Sequence, residues 1–118
     1  MKATDRFAIE GVTCELDGRQ LRVANLSISG LFAITELTLT TGQHLELVLN
    51  LPDRSPFAVL GQVSWINDPA SPRAPDLPQG LGIRITRIAL PDKVALLDLL
   101  KRTSPGAVRH RLRTSGAR

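Results

Sequence analysis

Apolar and polar residues alternate along most of the chain with a period of two, the spacing of a strand that buries one face. The clearest case is the stretch 44–51, in which four leucines occupy alternate positions. The pattern predicts about six strands, in the stretches 7–14 (interrupted at Gly11), 21–25, 31–39, 44–51, 59–65 and 81–85. Short strands of this kind are typical of a small antiparallel barrel, because closure removes exposed edges.

Turn residues separate the predicted strands. Asp17-Gly18 predicts a tight hairpin between the first two strands, because glycine accepts a positive φ without steric cost. Residues 67–79 contain four prolines and predict a long surface loop, since proline cannot donate a hydrogen bond to a sheet. Whether this loop binds anything is left open by its composition.

The period changes from that of a strand to that of a helix after Leu90. Pro91 suits a first helical turn, and the helix would bury an apolar stripe made of Val94, Leu96, Leu97 and Leu100. We therefore predict a helix at about 91–102 that closes an all-β barrel domain. The domain would span residues 1–103, with a short leader at 1–6 and a basic, disordered tail at 104–118.

Charge is distributed unevenly along the 118 residues, whose formal net charge is +4. Residues 101–118 hold six basic side chains and no acidic one, which leaves a body of net charge −2. The tail is either a solubilising extension or a polybasic segment for acidic partners, nucleic acid or an anionic membrane. The barrel itself has too few aromatic residues for a nucleic-acid stacking platform beside a core.

The residue pattern supports neither catalysis nor the binding of a metal or a cofactor. The two histidines are far apart, and no His, Cys or carboxylate cluster has metal-ligand spacing. His44 is expected on the solvated face of its strand, Cys14 as a buried thiol and Trp65 as a core anchor. The start of the chain shows no secretion signal, no stretch is long enough to span a membrane, and we expect a cytoplasmic protein.

The hexapeptide Asn25-Leu26-Ser27-Ile28-Ser29-Gly30 is the strongest candidate for binding chemistry. Its amide, hydroxyl and glycine can present side chains and backbone N–H groups to a phosphate or a base edge. The same residue types also make ordinary turns. By itself, the hexapeptide leaves both interpretations open.

Several segments, in order and spacing, resemble the PilZ domain family of small six-stranded barrels with a C-terminal helix. The resemblance covers residues 2 to about 100. It rests on Arg6-Phe7-Ala8-Ile9, the hexapeptide, Leu31-Phe32, Gly61-Gln62-Val63-Ser64-Trp65 and Gly80-Leu81-Gly82-Ile83-Arg84-Ile85. Many members bind the bacterial second messenger cyclic di-GMP, so the resemblance implies a signalling role, such as regulation of motility or biofilm formation.

The family's nucleotide site combines an RxxxR pair with a D/NxSxxG motif. The resemblance places the second motif on Asn25, Ser27 and Gly30, and the second arginine on Arg6. The first arginine corresponds to Lys2, which departs from the pattern. A lysine offers one compact charge where an arginine fork can bond guanine O6 and N7 together.

Three hypotheses follow. In the first, the chain is a stand-alone receptor that binds cyclic di-GMP through Lys2, Arg6, Asn25, Ser27 and Gly30 and relays it to a protein effector. In the second, it is an adaptor that has lost the messenger and acts through a protein partner, which the departure at Lys2 favours. In the third, the basic tail binds nucleic acid.

Overall fold

The chain forms six strands and one helix. A computed structural model describes the backbone of residues 5–115 and the side chains of residues 5–103. The elements are β1 (Thr13–Leu16), β2 (Arg19–Leu26), β3 (Gly30–Ile34), β4 (His44–Asn50), β5 (Phe57–Asn67), β6 (Gly80–Ile88) and α1 (Leu90–Ser115).

The strands close into a barrel in the order β1-β2-β3-β6-β5-β4. Every neighbouring pair is antiparallel, and β1 pairs with β4 to complete the circle. The predicted six-stranded antiparallel barrel with a C-terminal helix is therefore confirmed.

Alternate residues of the strands fill the barrel. Leu45, Leu47 and Leu49 of β4 point inward, as their spacing predicted, and Cys14 is fully buried among the core residues. Burial raises the pKa of the Cys14 thiol to about 12, so the thiol is neutral at physiological pH. This agrees with a structural cysteine.

The hairpin between β1 and β2 matches its prediction. Leu16 pairs with Arg19, so the connection contains only Asp17 and Gly18. Both connecting residues have positive φ, 52° and 78°, as a tight hairpin turn requires.

Two predicted strand boundaries are wrong. The first strand begins at Thr13, because the chain turns at residues 10–11 and Phe7 makes only an isolated bridge to Leu26. The third strand ends at Ile34, where its partner on β6, Gly80, is the first residue of that strand. Residues beyond Ile34 therefore have no β6 ladder to join.

The helix differs from its prediction in its buried face and its end. Leu96, Leu99 and Leu100 are buried against the barrel, whereas Val94 is 57% exposed. The helix continues to Ser115, past the predicted end at residue 102 and into the segment predicted to be disordered, although Pro105 and Gly106 have low helix propensity. Residues 116–118 of the predicted tail lie outside the described residues. The domain limit at residue 103 stays a prediction.

Candidate functional site

The link between β2 and β3 is a closed corner, which we define as residues 25–30. The Ser27 amide donates to the Gly30 carbonyl at 2.8 Å. The Ser27 hydroxyl accepts from the backbone N–H groups of Ser29, at 3.2 Å, and Gly30, at 3.1 Å. Ser27 is fully buried, so its side chain shapes the corner from within.

Gly30 lets the corner approach β6 more closely than any other residue would. A Cβ atom at this position would overlap the Ile83 carbonyl oxygen of the facing strand. A second contact with β6 is a hydrogen bond of 2.8 Å that the Ile85 amide donates to the Ser29 carbonyl. The corner is therefore fastened to the barrel wall as well as to itself.

Arg6 reaches the corner from the leader, 19 residues away in sequence. Its Nη1 donates to Asn25 Oδ1 at 3.0 Å. Phe7 holds the leader in place: its ring is buried, and its backbone exchanges hydrogen bonds of 2.9 and 3.0 Å with Leu26. A buried residue next to Arg6 and a strand residue next to Asn25 thus set the position of the pair.

The pair carries a net positive charge on an accessible surface. Arg6 is exposed, and partial desolvation of its guanidinium lowers the pKa of Arg6 from its ordinary value. An arginine nevertheless stays cationic at neutral pH. Asn25 accepts the Arg6 hydrogen bond through Oδ1, which leaves its Nδ2 as a donor toward solvent or a ligand.

Of the predicted site residues, the structure brings Arg6, Asn25, Ser27 and Gly30 together. Lys2 lies outside the described residues. Ser27, which the resemblance implied as a ligand contact, has its hydroxyl engaged within the corner.

A row of residues crosses the outer face of the barrel from the corner. Asn25 pairs with Phe32, Phe32 with Gly82, and Gly82 with Trp65. The rings of Phe32 and Trp65 lie 5.2 Å apart at 34°, and the indole occupies the space that a Cβ at Gly82 would need. Sequence reasoning did not join these residues, because register places them side by side only in the closed barrel.

The prediction of Trp65 as a core anchor is wrong. Trp65 is partly exposed and lies outside the core cluster, against the outer face. The register of β5 against β6 shifts between Val63 and Trp65, which indicates a bulge that breaks the alternation. Val63 consequently points inward and Trp65 does not.

The proline-rich loop folds over the Trp65 end of this row. Asn67 is 2% exposed, and its Nδ2 lies 3.0 Å from the carbonyl oxygens of Ala74, Leu77 and Pro78. The Arg73 guanidinium carbon stands 5.2 Å from the centroid of the Trp65 ring. Sequence reasoning missed this anchor. Its only signal was an asparagine at the end of an alternating strand, directly before the prolines.

Other chemistry is sparse in the described part of the chain. No group of three or more His, Cys, Asp and Glu residues there could hold a metal ion. His44 is exposed on β4, as predicted. Within residues 5–115, no helix has the length and apolar character to span a membrane.

Comparison with known proteins gives both a family and a fold. A sequence profile described as PilZ domain matches residues 6–102. None of the curated proteins matches the chain significantly.

Solved structures with the same fold include three at low sequence identity. An uncharacterized protein from Legionella is 16% identical with a TM-score of 0.60, over 86% of this chain and 96% of that one. YcgR from Escherichia coli in complex with c-di-GMP is 16% identical with a TM-score of 0.64, over 97% of this chain and 49% of that one. The PilZ domain of the same protein with c-di-GMP is 15% identical with a TM-score of 0.61, over 97% and 96%.

Proposed function

The chain belongs to the PilZ domain family, and from that premise we propose that it is a receptor for cyclic di-GMP that performs no chemistry itself. The observation that carries the proposal is the Arg6–Asn25 pair, which places a cation and an amide donor at the accessible edge of a rigid corner. Two of the similar structures are complexes with c-di-GMP, which supports the same ligand.

Each residue of the pair has a distinct proposed role. Arg6 would grip a phosphate or the O6 and N7 acceptors of a guanine. Asn25 would donate from Nδ2 to an acceptor on a guanine edge, since its Oδ1 is held by Arg6. Ser27 and Gly30 would act indirectly, by holding the corner and hence Asn25 in position.

Trp65 extends the proposed site along the outer face. Three strand-to-strand steps separate it from Asn25 in the cross-strand row, about 14 Å at the usual strand spacing. The Arg73 guanidinium lies over the partly exposed indole, so a base would stack by displacing this side chain or by packing on its planar guanidinium. A dinucleotide with two guanines could therefore contact the pair with one base and Trp65 with the other.

Lys2 is proposed to supply a second positive charge from the leader. It would pair with a phosphate without the two-pronged base contact of an arginine. Binding would order the leader against the barrel and create a surface that a protein effector recognises. A cytoplasmic location follows from the proposed ligand, an intracellular messenger.

A second function is favoured by one observation, the lysine at position 2. A chain that lacks one arginine of the family's RxxxR motif could act as an adaptor through a protein partner without the messenger. The two functions differ in one measurable property, the affinity for cyclic di-GMP.

Isothermal titration calorimetry of the full chain tests the proposal. We expect saturable heat with cyclic di-GMP, none with GTP, and loss of binding in Arg6→Ala. Arg19→Ala, an exposed arginine at the opposite end of β2 and about 20 Å along the strand from Asn25, is the matched control and should bind normally. Absence of heat together with no displacement of a fluorescent cyclic di-GMP analogue at about 100 μM ligand would exclude a useful receptor and favour the adaptor.

A further inference from the structure

Two adjoining grooves lie where β6 ends and α1 begins. The smaller, about 250 Å³, is lined by residues 58–60 and 87–89. The larger, about 480 Å³, is lined by residues 28–29 and 85–88 and by Lys93. Both grooves share Arg87 and Ile88, so they lie next to each other on either side of the end of β6; together we call them the β6–α1 surface.

One exposed apolar side chain lines this surface, and two more lie at the start of α1, which borders it at Lys93. Among the described residues, the exposed large hydrophobic side chains are Leu60 at 39%, Leu90 at 72% and Val94 at 57%. Leu60 lines the smaller groove, Leu90 directly follows its lining residue Ala89, and Val94 directly follows Lys93. Clustering of exposed apolar groups around a concavity is typical of a binding surface.

The charge of the β6–α1 surface is positive. Arg87 and Lys93 line it, and none of the described lining residues is acidic. The nearby carboxylate of Asp92, in the first turn of α1, is bound to Arg54 at 2.7 Å. Among the described residues, neither Arg87 nor Lys93 forms an ion pair, so both attract negative charge.

We propose that the β6–α1 surface binds an acidic segment of a partner protein whose apolar side chains enter the grooves. Complementary charge identifies the acidic character of the segment, and the exposed leucines and valine identify its apolar character. The concave shape favours a peptide over a membrane, because a bilayer presents no side chains to fill two grooves.

The surface also touches the corner. Ile28 and Ser29 line the larger groove, and they belong to the segment that carries Asn25. Coupling between ligand binding and the larger groove rests on the proposed function, because contact of the ligand with Asn25 would reach the groove through residues 25–30. The binding of the segment itself does not depend on the nucleotide.

The test begins with a random 12-residue peptide library displayed on phage and selected on the immobilised full chain. We expect enriched peptides that combine acidic with large apolar residues. The consensus peptide, made synthetically, should bind the wild type in calorimetry and bind Arg87→Glu at least about tenfold more weakly. Arg19→Glu makes the same charge change at an exposed position of β2 and should leave the affinity for the peptide unchanged.

A second variant separates docking from folding. Val94→Ser alters an exposed side chain, so it should leave thermal unfolding unchanged while weakening peptide binding severalfold. Enriched peptides that bind Arg87→Glu as well as the wild type would overturn the proposal. So would a failure to enrich acidic peptides, or phosphatidylglycerol vesicles that bind through Arg87 when no peptide does.

Titrating cyclic di-GMP in the same samples keeps the two claims apart. Peptide binding without nucleotide binding would refute the receptor and support the surface. Nucleotide binding without peptide binding would do the reverse. A change in peptide affinity on addition of nucleotide would support the relay through the corner.

Discussion

The corner and the leader are joined by the Arg6–Asn25 hydrogen bond, yet they are built differently. In the corner, the Ser27 hydroxyl, the backbone of residues 27–30 and the contact with β6 hold one another in place. The leader is attached by Phe7 and presents Arg6 on a long, exposed side chain that bonds Asn25 at 3.0 Å. One part of the site is preorganised, and the other presents a long side chain from a segment attached through Phe7.

This difference assigns the two parts different energetic roles. Substitutions in the corner should reduce stability, because buried polar groups and a tight backbone contact are lost. Substitutions in the leader should reduce affinity and leave stability nearly unchanged, since an exposed arginine adds little to folding. In such a receptor, the entropic cost of ligand binding comes mainly from the leader, because its side chains lose conformational freedom on binding.

The largest effect is expected for Gly30→Ala. Its Cβ would overlap the Ile83 carbonyl, so β3 and β6 must separate, at a cost of about 3 kcal/mol in the free energy of unfolding. Urea denaturation measures this. Ala58→Gly, at an exposed position of β5, is the control and should lower the free energy of unfolding by no more than about 1 kcal/mol. An unchanged midpoint for Gly30→Ala would contradict the close approach.

Arg6→Ala should act on affinity alone. Loss of the guanidinium should weaken cyclic di-GMP binding about 100-fold, or roughly 2.8 kcal/mol, while the unfolding free energy changes by less than about 0.5 kcal/mol. Calorimetry and urea denaturation of the same preparation measure both quantities. A large loss of stability would show that Arg6 belongs with the corner.

Ser27→Ala should act on stability first. The substitution leaves the buried N–H group of Gly30 without its acceptor, which costs about 2 kcal/mol. Ser64→Ala, on an exposed β5 position, should be nearly neutral. If Ser27→Ala instead removed ligand binding and left the urea midpoint in place, Ser27 would be a direct ligand contact.

Lys2→Arg sharpens the comparison from the leader side. Restoring the arginine should tighten cyclic di-GMP binding about tenfold, or roughly 1.4 kcal/mol, through a second guanidinium fork. Lys2→Gln should weaken it by removing the charge. Equal affinity in the wild type, Lys2→Arg and Lys2→Gln would show that position 2 takes no part in binding.

Local patterns predicted the parts of the fold that depend on local physics. The leucines of β4 and the Asp17-Gly18 turn lie where alternation and turn chemistry placed them. The errors arise where the pairing of segments distant in sequence determines the local structure. The bulge before Trp65 and the end of β3 depend on register against β6, which no short stretch of sequence encodes.

Four of the predicted site residues lie together in the structure, and their part in ligand binding stays a prediction. The motif named Asn25, Ser27 and Gly30, and the leader named Arg6. That Ser27 is buried and engaged is a consequence of packing within the corner. The row from Asn25 to Trp65 and the Asn67 anchor require the closed barrel, so the sequence alone could not reveal them.

The most direct test is a titration of the ¹⁵N-labelled chain with cyclic di-GMP, followed by two-dimensional NMR. The account predicts saturable shifts of the Arg6 and Asn25 signals and of the indole N–H of Trp65, the only tryptophan in the chain. It also predicts that the Ser27 and Gly30 amides keep slow hydrogen exchange with and without ligand. Saturable shifts confined to residues away from this face, or no shifts at all, would contradict it.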